Sequence, residues 1–231
     1  MGEKFFARLG VDNEKDPLAA ARALPWEKIV EADSALIREL AMLGPAGLWE
    51  AGVDGWFLPD TPTDIFKAGK QNTVPLIVCA NLGELTGPGI LVFPGLISDY
   101  LDMLAAVTKA GAKGYACIFD QVPSKWKQEG CISTHAMELG YVFGDWDNTT
   151  GGWLLVFMLA SQSGAKSPDP GLTDIDRKVS EAMMAMWAQF ARTSDPNVKG
   201  LTDWPTYDTT DRYLYIADPL EVKSGFSKVL P

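Results

Sequence analysis

The chain of 231 residues contains a single histidine, His135, and only three cysteines. At neutral pH, histidine is the side chain best suited to accept a proton and return it, so imidazole chemistry here depends on His135. Cys79, Cys117 and Cys131 have neither metal-site spacing nor the pattern of a disulfide framework. We therefore expect Cys79 and Cys117, which lie in apolar segments, to be small buried side chains. We expect no metal ion and no other cofactor.

Basic residues and long apolar runs are also scarce. The chain has 20 basic and 30 acidic residues, which gives a formal net charge of -10. Such a surface repels phosphate backbones, which argues against nucleic-acid binding. The longest apolar run, from Trp153 to Ala160, is far too short to cross a bilayer, so no membrane span is predicted. With 47% apolar and 22% charged residues, the composition is that of a globular chain.

The fold class predicted from the residue patterns is α/β. Two apolar segments without alternation, Val74 to Ala80 and Tyr115 to Phe119, predict strands covered on both faces, as in a parallel sheet. The amphipathic segment from Ile97 to Ala110 predicts a helix between them, and this order implies a right-handed parallel crossover. Apolar periodicity and turn signals predict further helices and one more strand. The helices are expected at residues 3–10, 16–23, 25–40, 63–68, 152–160 and 174–193, a short helix or turn at 138–143, and the strand at 212–216.

Polar residues follow both buried strands. Glu84 comes after the first strand, and His135 comes after the second. Catalytic groups of open α/β sheets gather at the carboxyl ends of the strands. A carboxylate that accepts the imidazole N–H fixes the tautomer and stabilises the imidazolium that forms during proton transfer. We therefore predict that Glu84 and His135 form a catalytic pair, although for Glu84 taken alone a solvated loop carboxylate is the favoured interpretation.

Six segments, in order along nearly the whole chain, carry a resemblance to a known family. They are Val53-Asp54-Gly55 with Leu58-Pro59; Gly69 to Leu76; Asn81 to Glu84; Tyr115 to Pro123; His135 to Leu139 with Tyr141 to Gly144; and Trp187 to Ala191 with Asp195-Pro196-Asn197 and Trp204-Pro205. Together they resemble the C-terminal half of the type-B carboxylesterases, the family that includes cholinesterases and bacterial para-nitrobenzyl esterases.

This resemblance implies an α/β-hydrolase fold and a Ser-Glu-His triad that hydrolyses carboxylic esters. Residues 1–231 would form the C-terminal part of a single domain, with part of a mostly parallel, twisted sheet and helices on both faces. By the same resemblance, His135 is the general base and acid, and Glu84 orients it. The substrate would be a small carboxylic ester whose identity the sequence leaves open.

Four residues are candidate contributors to the substrate pocket. They are Tyr141, Val142, Phe143 and Trp126. For each of them taken singly, ordinary core packing is about as good an interpretation.

Three positions depart from the family pattern. Glycine usually follows both the acid and the histidine, whereas this chain has Leu85 and Ala136. Ser194 likewise replaces a usual glycine after the longest predicted helix. The added side-chain bulk at Leu85 and Ala136 is expected to reshape the pocket or tighten the loop.

The chain also lacks the Gly-x-Ser-x-Gly elbow that bears the family's nucleophile. Ser163-Gly164 comes closest, but it lies in a polar loop after a helix. The glycines of the family's oxyanion hole are missing too, and without these groups a His–Glu pair has nothing to activate. We therefore predict a partner, the N-terminal half of the same esterase on another chain, that carries the nucleophile.

Two other functions remain open from the sequence. A cholinesterase-like binding or adhesion module would keep the fold without catalysis, although retention of both Glu84 and His135 argues against it. A stand-alone hydrolase that uses a serine of this chain is the less favoured alternative. The presence or absence of Gly-x-Ser-x-Gly in a partner chain would separate the first alternative from the esterase.

Overall fold

The computed structural model describes residues 2–39, 52–84, 95–145 and 151–229, with the side chains of 151–155 left out. Leu85, one of the departures noted above, lies outside the described residues. By their internal contacts, residues 1–61 and residues 62–231 form two compact units. No helix within the described ranges has both the length and the apolar character needed to cross a membrane. That the whole chain is part of one domain stays a prediction.

In the described residues of the first unit, three helices lie at the positions the sequence predicts. Asp16 caps the second helix, because its side chain accepts the N–H of Ala19 at 2.9 Å, and Pro17 supplies the favoured first helical residue. Ala32 and Leu36 give the third helix its buried side. The helices are α1 (Gly2–Leu9), α2 (Pro17–Arg22) and α3 (Trp26–Glu39).

The second unit alternates helices with the strands of one sheet. Its elements are α4 (Pro62–Lys67), β1 (Leu76–Asn81), α5 (Leu96–Lys109), β2 (Gly114–Phe119), α6 (Ser124–Gln128), α7 (Glu138–Phe143), α8 (Gly151–Gln162), α9 (Asp174–Thr193), β3 (Arg212–Ile216), β4 (Glu221–Ser224) and a short 3-10 helix (Phe226–Lys228). All the predicted elements are present. The sequence did not predict α6, β4 or the 3-10 helix, because segments of three to five residues are too short for a periodic pattern to emerge.

The described strands form one sheet in the order β1-β2-β3-β4. β1 and β3 both run parallel to β2, and β4 is antiparallel to β3. The parallel pairing of β1 with β2 confirms the relationship expected from the strand-helix-strand pattern. In their register, Asn81 lies opposite Phe119, so the two strands end side by side. The segments that follow β1 and β2 therefore leave the sheet at the same edge.

Alternating side chains place a separate apolar core on each face of the sheet. Tyr115, Cys117 and Phe119 of β2 face a core that α6, α7, α8 and α9 complete. Ala116 and Ile118 face the other core, to which α5 and the 3-10 helix contribute. Every residue of β2 is buried, as expected for a strand covered on both sides. Helices thus cover both faces, and the sheet is mixed because β4 is antiparallel.

Two cysteines differ from their sequence-based expectation. Cys79 and Cys117 lie directly opposite each other in β1 and β2, and a disulfide joins them. Cys117 is buried as expected and Cys79 is partly buried, but the expectation that they belong to no disulfide was wrong. Their 38-residue separation carries no disulfide pattern, since only the register of two strands brings them together. Cys131 is a free, buried cysteine.

The C-terminal signature Asp195-Pro196-Asn197 with Trp204 has a structural explanation. The Asn197 amide donates to Asp195 at 2.8 Å and to the Trp204 carbonyl at 3.0 Å, and its oxygen accepts the Trp204 N–H at 2.6 Å. The Trp204 indole donates to the carbonyl of Ala116 at 2.9 Å. A hydrogen bond from Lys113 lowers the pKa of Asp195 to about 2. This segment therefore fastens the connection between α9 and β3 onto β2.

Candidate active site

The structure brings together the two residues that the sequence predicts as a catalytic pair. Oε2 of Glu84 lies 2.8 Å from Nδ1 of His135. The Glu84 side chain is 10% exposed, whereas the His135 side chain is 54% exposed. A carboxylate at Nδ1 selects the neutral tautomer that carries its proton there, which leaves the lone pair on Nε2 for proton transfer. The geometry is thus that of an oriented general base.

Glu84 is positioned by a tight turn that follows β1. The N–H of Leu82 donates to the Phe119 carbonyl at 2.9 Å, and that of Gly83 donates to the Ser133 carbonyl at 2.8 Å. A Cβ on Gly83 would collide with that carbonyl and lie 2.8 Å from Cδ1 of Ile132. Only glycine fits here, because the turn approaches the backbone of the histidine loop so closely.

His135 is positioned by buried polar residues that precede it. The Ser133 hydroxyl donates to the Phe119 carbonyl at 3.0 Å and contacts Oδ1 of Asp120 at 3.2 Å. Ser133 and Thr134 are fully buried, so the loop is anchored although His135 itself is exposed. The N–H of Met137 donates to the Thr134 carbonyl at 3.1 Å and leads the chain into α7.

The residue after the histidine adopts a backbone conformation that favours glycine. Ala136 has φ +68°. Ser194, which also replaces a family glycine, ends α9 at φ +62°. The conformation itself explains why glycine suits both positions, since a Cβ in the left-handed region is sterically unfavourable. Ala136 and Ser194 therefore keep the backbone geometry at the cost of local strain.

Sequence reasoning missed two polar residues of the site, Asn81 and Glu138. The Asn81 amide donates to the Thr134 carbonyl at 2.9 Å and to Oε2 of Glu138 at 2.5 Å, and its nitrogen lies 3.4 Å from Oε1 of Glu84. Asn81 is only 1% exposed. Both residues belong to segments singled out above, but only the fold shows that the amide faces two carboxylates.

The carboxylates shift the titration of their neighbours. The hydrogen bond with Glu84 raises the pKa of His135 above its ordinary value; partial burial opposes this, and the charges of Glu84 and Glu138 reinforce it. Burial raises the pKa of Glu138. Burial also raises the pKa of Tyr100, and the same two carboxylates add to the effect. His135 therefore carries a proton to higher pH than an isolated imidazole would.

The four candidate pocket residues lie in different environments. Trp126 and Tyr141 are fully buried, with the Trp126 indole donating to a backbone carbonyl at 2.7 Å and the Tyr141 hydroxyl donating to Asp176 at 2.8 Å. Val142 packs at the edge of the same core. Phe143 is 71% exposed. Trp126 and Tyr141 thus present no accessible surface in this chain and fit the core-packing interpretation, whereas Phe143 is well exposed.

No group of three or more histidine, cysteine or carboxylate side chains in the described part of the chain could hold a metal ion. The chemistry that the site offers is proton transfer by an imidazole paired with a carboxylate. A nucleophile and donors for an oxyanion are the groups that such a pair requires.

Comparison with known proteins identifies the family. A family model described as the carboxylesterase family matches residues 95–229, which include β2, His135 and the C-terminal signature. The chain belongs to the carboxylesterase family. It is 34% identical over 146 residues to carboxylesterase 3B of Mus musculus, covering 62% of this chain and 22% of that protein. It is 42% identical over 160 residues to liver carboxylesterase B-1 of Rattus norvegicus, covering 67% of this chain and 24% of that protein.

Solved carboxylesterase structures share the fold. The carboxylesterase EST55 of Geobacillus stearothermophilus superimposes with a TM-score of 0.61 at 18% identity, covering 96% of this chain and 51% of that one. A PNB esterase gives a TM-score of 0.68 at 17% identity, covering 95% of this chain and 50% of that one. The chain therefore has part of the α/β-hydrolase fold. It spans about a quarter of the length of these curated relatives and about half of the solved chains.

Proposed function

We propose that this chain supplies the histidine and the acid of a Ser-Glu-His triad in a carboxylic ester hydrolase. The observation that carries the proposal is the 2.8 Å contact between Glu84 and Nδ1 of His135 at the strand ends of an α/β-hydrolase sheet. Membership of the carboxylesterase family supports the reaction class.

In the proposed reaction, His135 removes the proton from a serine hydroxyl as the oxygen attacks the ester carbonyl. Glu84 stabilises the imidazolium that forms, and His135 then gives the proton to the departing alcohol. In a second step, His135 takes a proton from a water molecule as the water attacks the acyl carbon; the bond to the serine oxygen breaks, His135 returns the proton to that oxygen, and the carboxylic acid is released. Glu84 needs to remain a carboxylate throughout, since its charge is what stabilises the imidazolium.

The nucleophilic serine and the oxyanion hole would come from an N-terminal half on a separate chain. No Gly-x-Ser-x-Gly sequence occurs in these 231 residues, and the chain spans only part of its relatives. Among the described strands, β1 pairs only with β2. A further strand from the N-terminal half would therefore pair with the opposite edge of β1. Residues 1–231 would then complete a single α/β-hydrolase domain with that half, across a large apolar interface.

Reconstitution tests this function. The chain is combined with an N-terminal half that carries Gly-x-Ser-x-Gly, and hydrolysis of a small aryl ester is measured, with either part alone as the control. Turnover is expected only in the mixture, and His135→Ala is expected to abolish it. Activity of the His135→Ala mixture within a few-fold of the unaltered mixture would show that the assignment is wrong.

A fluorophosphonate probe provides an independent measurement on the same mixture. Labelling is expected on the N-terminal half and not on this chain. Labelling of this chain alone would instead point to a nucleophile among its own serines. A natural partner that lacks the Gly-x-Ser-x-Gly serine would favour the non-catalytic binding module.

A further inference from the structure

The amide of Asn81 lies beside the catalytic pair and contacts the chain segments that carry both of its members. Asn81 is the last residue of β1 and is almost completely buried. Its amide nitrogen lies 2.9 Å from the Thr134 carbonyl, 2.5 Å from Oε2 of Glu138 and 3.4 Å from Oε1 of Glu84. The side chain of Asn81 therefore contacts Thr134 and Glu138, which lie on either side of His135 in the sequence. It also approaches Glu84, the carboxylate that binds the imidazole ring.

The surroundings determine which way this amide points. An amide NH2 carries two protons, so it bonds fully to the two nearer acceptors and only weakly to Glu84. The opposite orientation would set the amide oxygen against a carbonyl and two carboxylates, all of them acceptors. In the orientation observed, Oδ1 is buried without a hydrogen-bond partner among the described residues. Leaving a buried oxygen unpaired is unfavourable. The two hydrogen bonds donated by the amide nitrogen, to the Thr134 carbonyl and to Glu138, are therefore what stabilise this orientation.

The two strong contacts of the amide bracket the histidine. Thr134 immediately precedes His135, and Glu138 follows it three residues later at the start of α7. Between them lies Ala136, whose left-handed backbone is strained. Strained conformations persist where surrounding contacts hold them, and the amide holds both ends of this short segment.

The backbone of the same asparagine fixes the acid. The N–H of Glu84 donates to the Asn81 carbonyl at 3.1 Å and closes the turn after β1. Asn81 thus acts on His135 through its side chain and on Glu84 through its main chain. β1 is paired along its length with β2, and Asn81 is its last residue. Asn81 therefore connects both Glu84 and His135 to the rigid sheet.

We propose that Asn81 is a positioning residue that clamps the segment bearing His135 and sets the imidazole against Glu84. The proposal rests on the proposed function where it concerns catalysis, but the clamp itself is a statement about this chain. The ionisable groups close to His135 and the Asn81 amide are Glu84 after β1, Glu138 on α7 and Tyr100 on α5. The Tyr100 hydroxyl donates to the Cys79 carbonyl at 3.2 Å.

The single histidine makes the clamp measurable in this chain without enzyme activity. With ¹³C-labelled histidine, NMR follows one imidazole, and its titration gives the pKa of His135 in the unaltered chain and in Glu84→Gln. The difference between the two values reports how strongly Glu84 interacts with the ring. The same two titrations are then repeated in the Asn81→Ala background, with the single variant Asn81→Ala and the double variant Asn81→Ala/Glu84→Gln.

If Asn81 positions the pair, the fall in the His135 pKa caused by Glu84→Gln shrinks to less than half once Asn81 is alanine. An undiminished fall would overturn the proposal, since Glu84 would then engage His135 without the amide. This comparison does not depend on any direct effect of Asn81→Ala on the pKa. If the alanine variant does not fold, Asn81→Ser, whose hydroxyl is too short to hold both ends, takes its place with the same two outcomes.

Asn197→Ala is the matched control. It also removes an amide that makes several hydrogen bonds, but those bonds connect Asp195 and Trp204. With Asn197→Ala the fall in the His135 pKa caused by Glu84→Gln is expected to be unchanged, although the chain is less stable. An equal reduction in both asparagine variants would mean a general loosening of the fold and would overturn a specific role for Asn81.

The reconstituted esterase gives a second readout. A displaced imidazole slows the chemical step, so Asn81→Ala is expected to lower kcat by about 10- to 100-fold with KM changed by no more than about twofold. An unchanged kcat would overturn the catalytic part of the proposal. Should reconstitution yield no hydrolysis at all, the proposed function fails, and the NMR comparison still decides whether Asn81 is a clamp.

Discussion

The carboxylate of Glu84 lies 2.8 Å from Nδ1 of His135, although 51 residues separate them in the chain. The contact exists because β1 and β2 run parallel and end at paired positions, Asn81 and Phe119. The turn after β1 then meets the histidine loop through a hydrogen bond from Gly83 to Ser133. The pair is therefore a product of strand register and of the groups that hold the two loops together.

Replacing Glu84 by glutamine is expected to lower the pKa of His135 toward its ordinary value of 6.5. Glutamine keeps the shape of the side chain but removes the charge that favours the imidazolium. NMR titration of the single histidine measures the shift. Glu181→Gln, an exposed change of the same kind on α9, is the control and should leave the titration unaltered. An equal pKa in the unaltered chain and Glu84→Gln would contradict the contact.

The same pair predicts a pH dependence of stability. A histidine whose pKa is raised in the folded state stabilises the fold below its unfolded pKa, near 6.5, and this contribution disappears as pH rises through the folded pKa. The loss of stability caused by Glu84→Gln should therefore be larger at pH 5.5 than at pH 9. Urea unfolding at the two pH values measures it, and a loss independent of pH would argue against the linkage.

Gly83→Ala is expected to destabilise the second unit by about 1–3 kcal/mol, because the new methyl group would collide with the Ser133 carbonyl and the Ile132 side chain. Urea denaturation gives the change in unfolding free energy. Gly52→Ala is a suitable control, since Gly52 has open space around it and an ordinary backbone conformation. A neutral Gly83→Ala would mean that the turn and the histidine loop are not held as closely as described.

Ala136→Gly is expected to stabilise the fold by about 0.5–1 kcal/mol. Relief of the left-handed strain outweighs the greater flexibility of glycine in the unfolded chain. Ala188→Gly, at an exposed position in α9, should instead destabilise the fold by about 1 kcal/mol. Thermal and urea unfolding of the two variants provide the test. Destabilisation by Ala136→Gly would show that the packing of the buried Ala136 methyl group matters more than its backbone strain.

Asp176→Asn should destabilise the fold by about 2–3 kcal/mol. Asp176 is buried and accepts hydrogen bonds from Thr173, Gln121 and Tyr141. Burial acts to raise its pKa, but these bonds outweigh burial and hold it below the ordinary value. The exposed neighbour Asp174 provides the control, Asp174→Asn, which should change stability by less than about 1 kcal/mol.

The lowered pKa of Asp176 also predicts how the unfolding free energy changes with pH. The stabilisation is present above the unfolded pKa, near 3.9, and is lost as pH falls through the lower folded pKa. The difference in unfolding free energy between the unaltered chain and Asp176→Asn should therefore be constant near neutral pH and shrink below about pH 4. A difference that persists unchanged into acid would contradict the hydrogen-bonded carboxylate.

Much of the fold follows from residue patterns. The continuous apolar runs of β1 and β2 and the helical periodicity of α5 and α9 are local signals, and the elements appear where those signals occur. β2 is buried on both faces as expected, whereas half of the residues of β1 are only partly buried. Cys79 and Cys117 show the limit of such reasoning. Their sequence context is that of ordinary buried side chains, and only the register of the two strands pairs them.

The same distinction between local sequence signals and tertiary contacts applies to the candidate site. The sequence by itself determined which groups are available: a single histidine, an acid after a buried strand, and no Gly-x-Ser-x-Gly serine. Only the tertiary structure decided that Glu84 meets His135 and that the Asn81 amide faces Glu138, and it placed Trp126 in the core. The physical reason is that chemical type is a property of each residue, whereas contact and burial depend on how distant segments pack against each other.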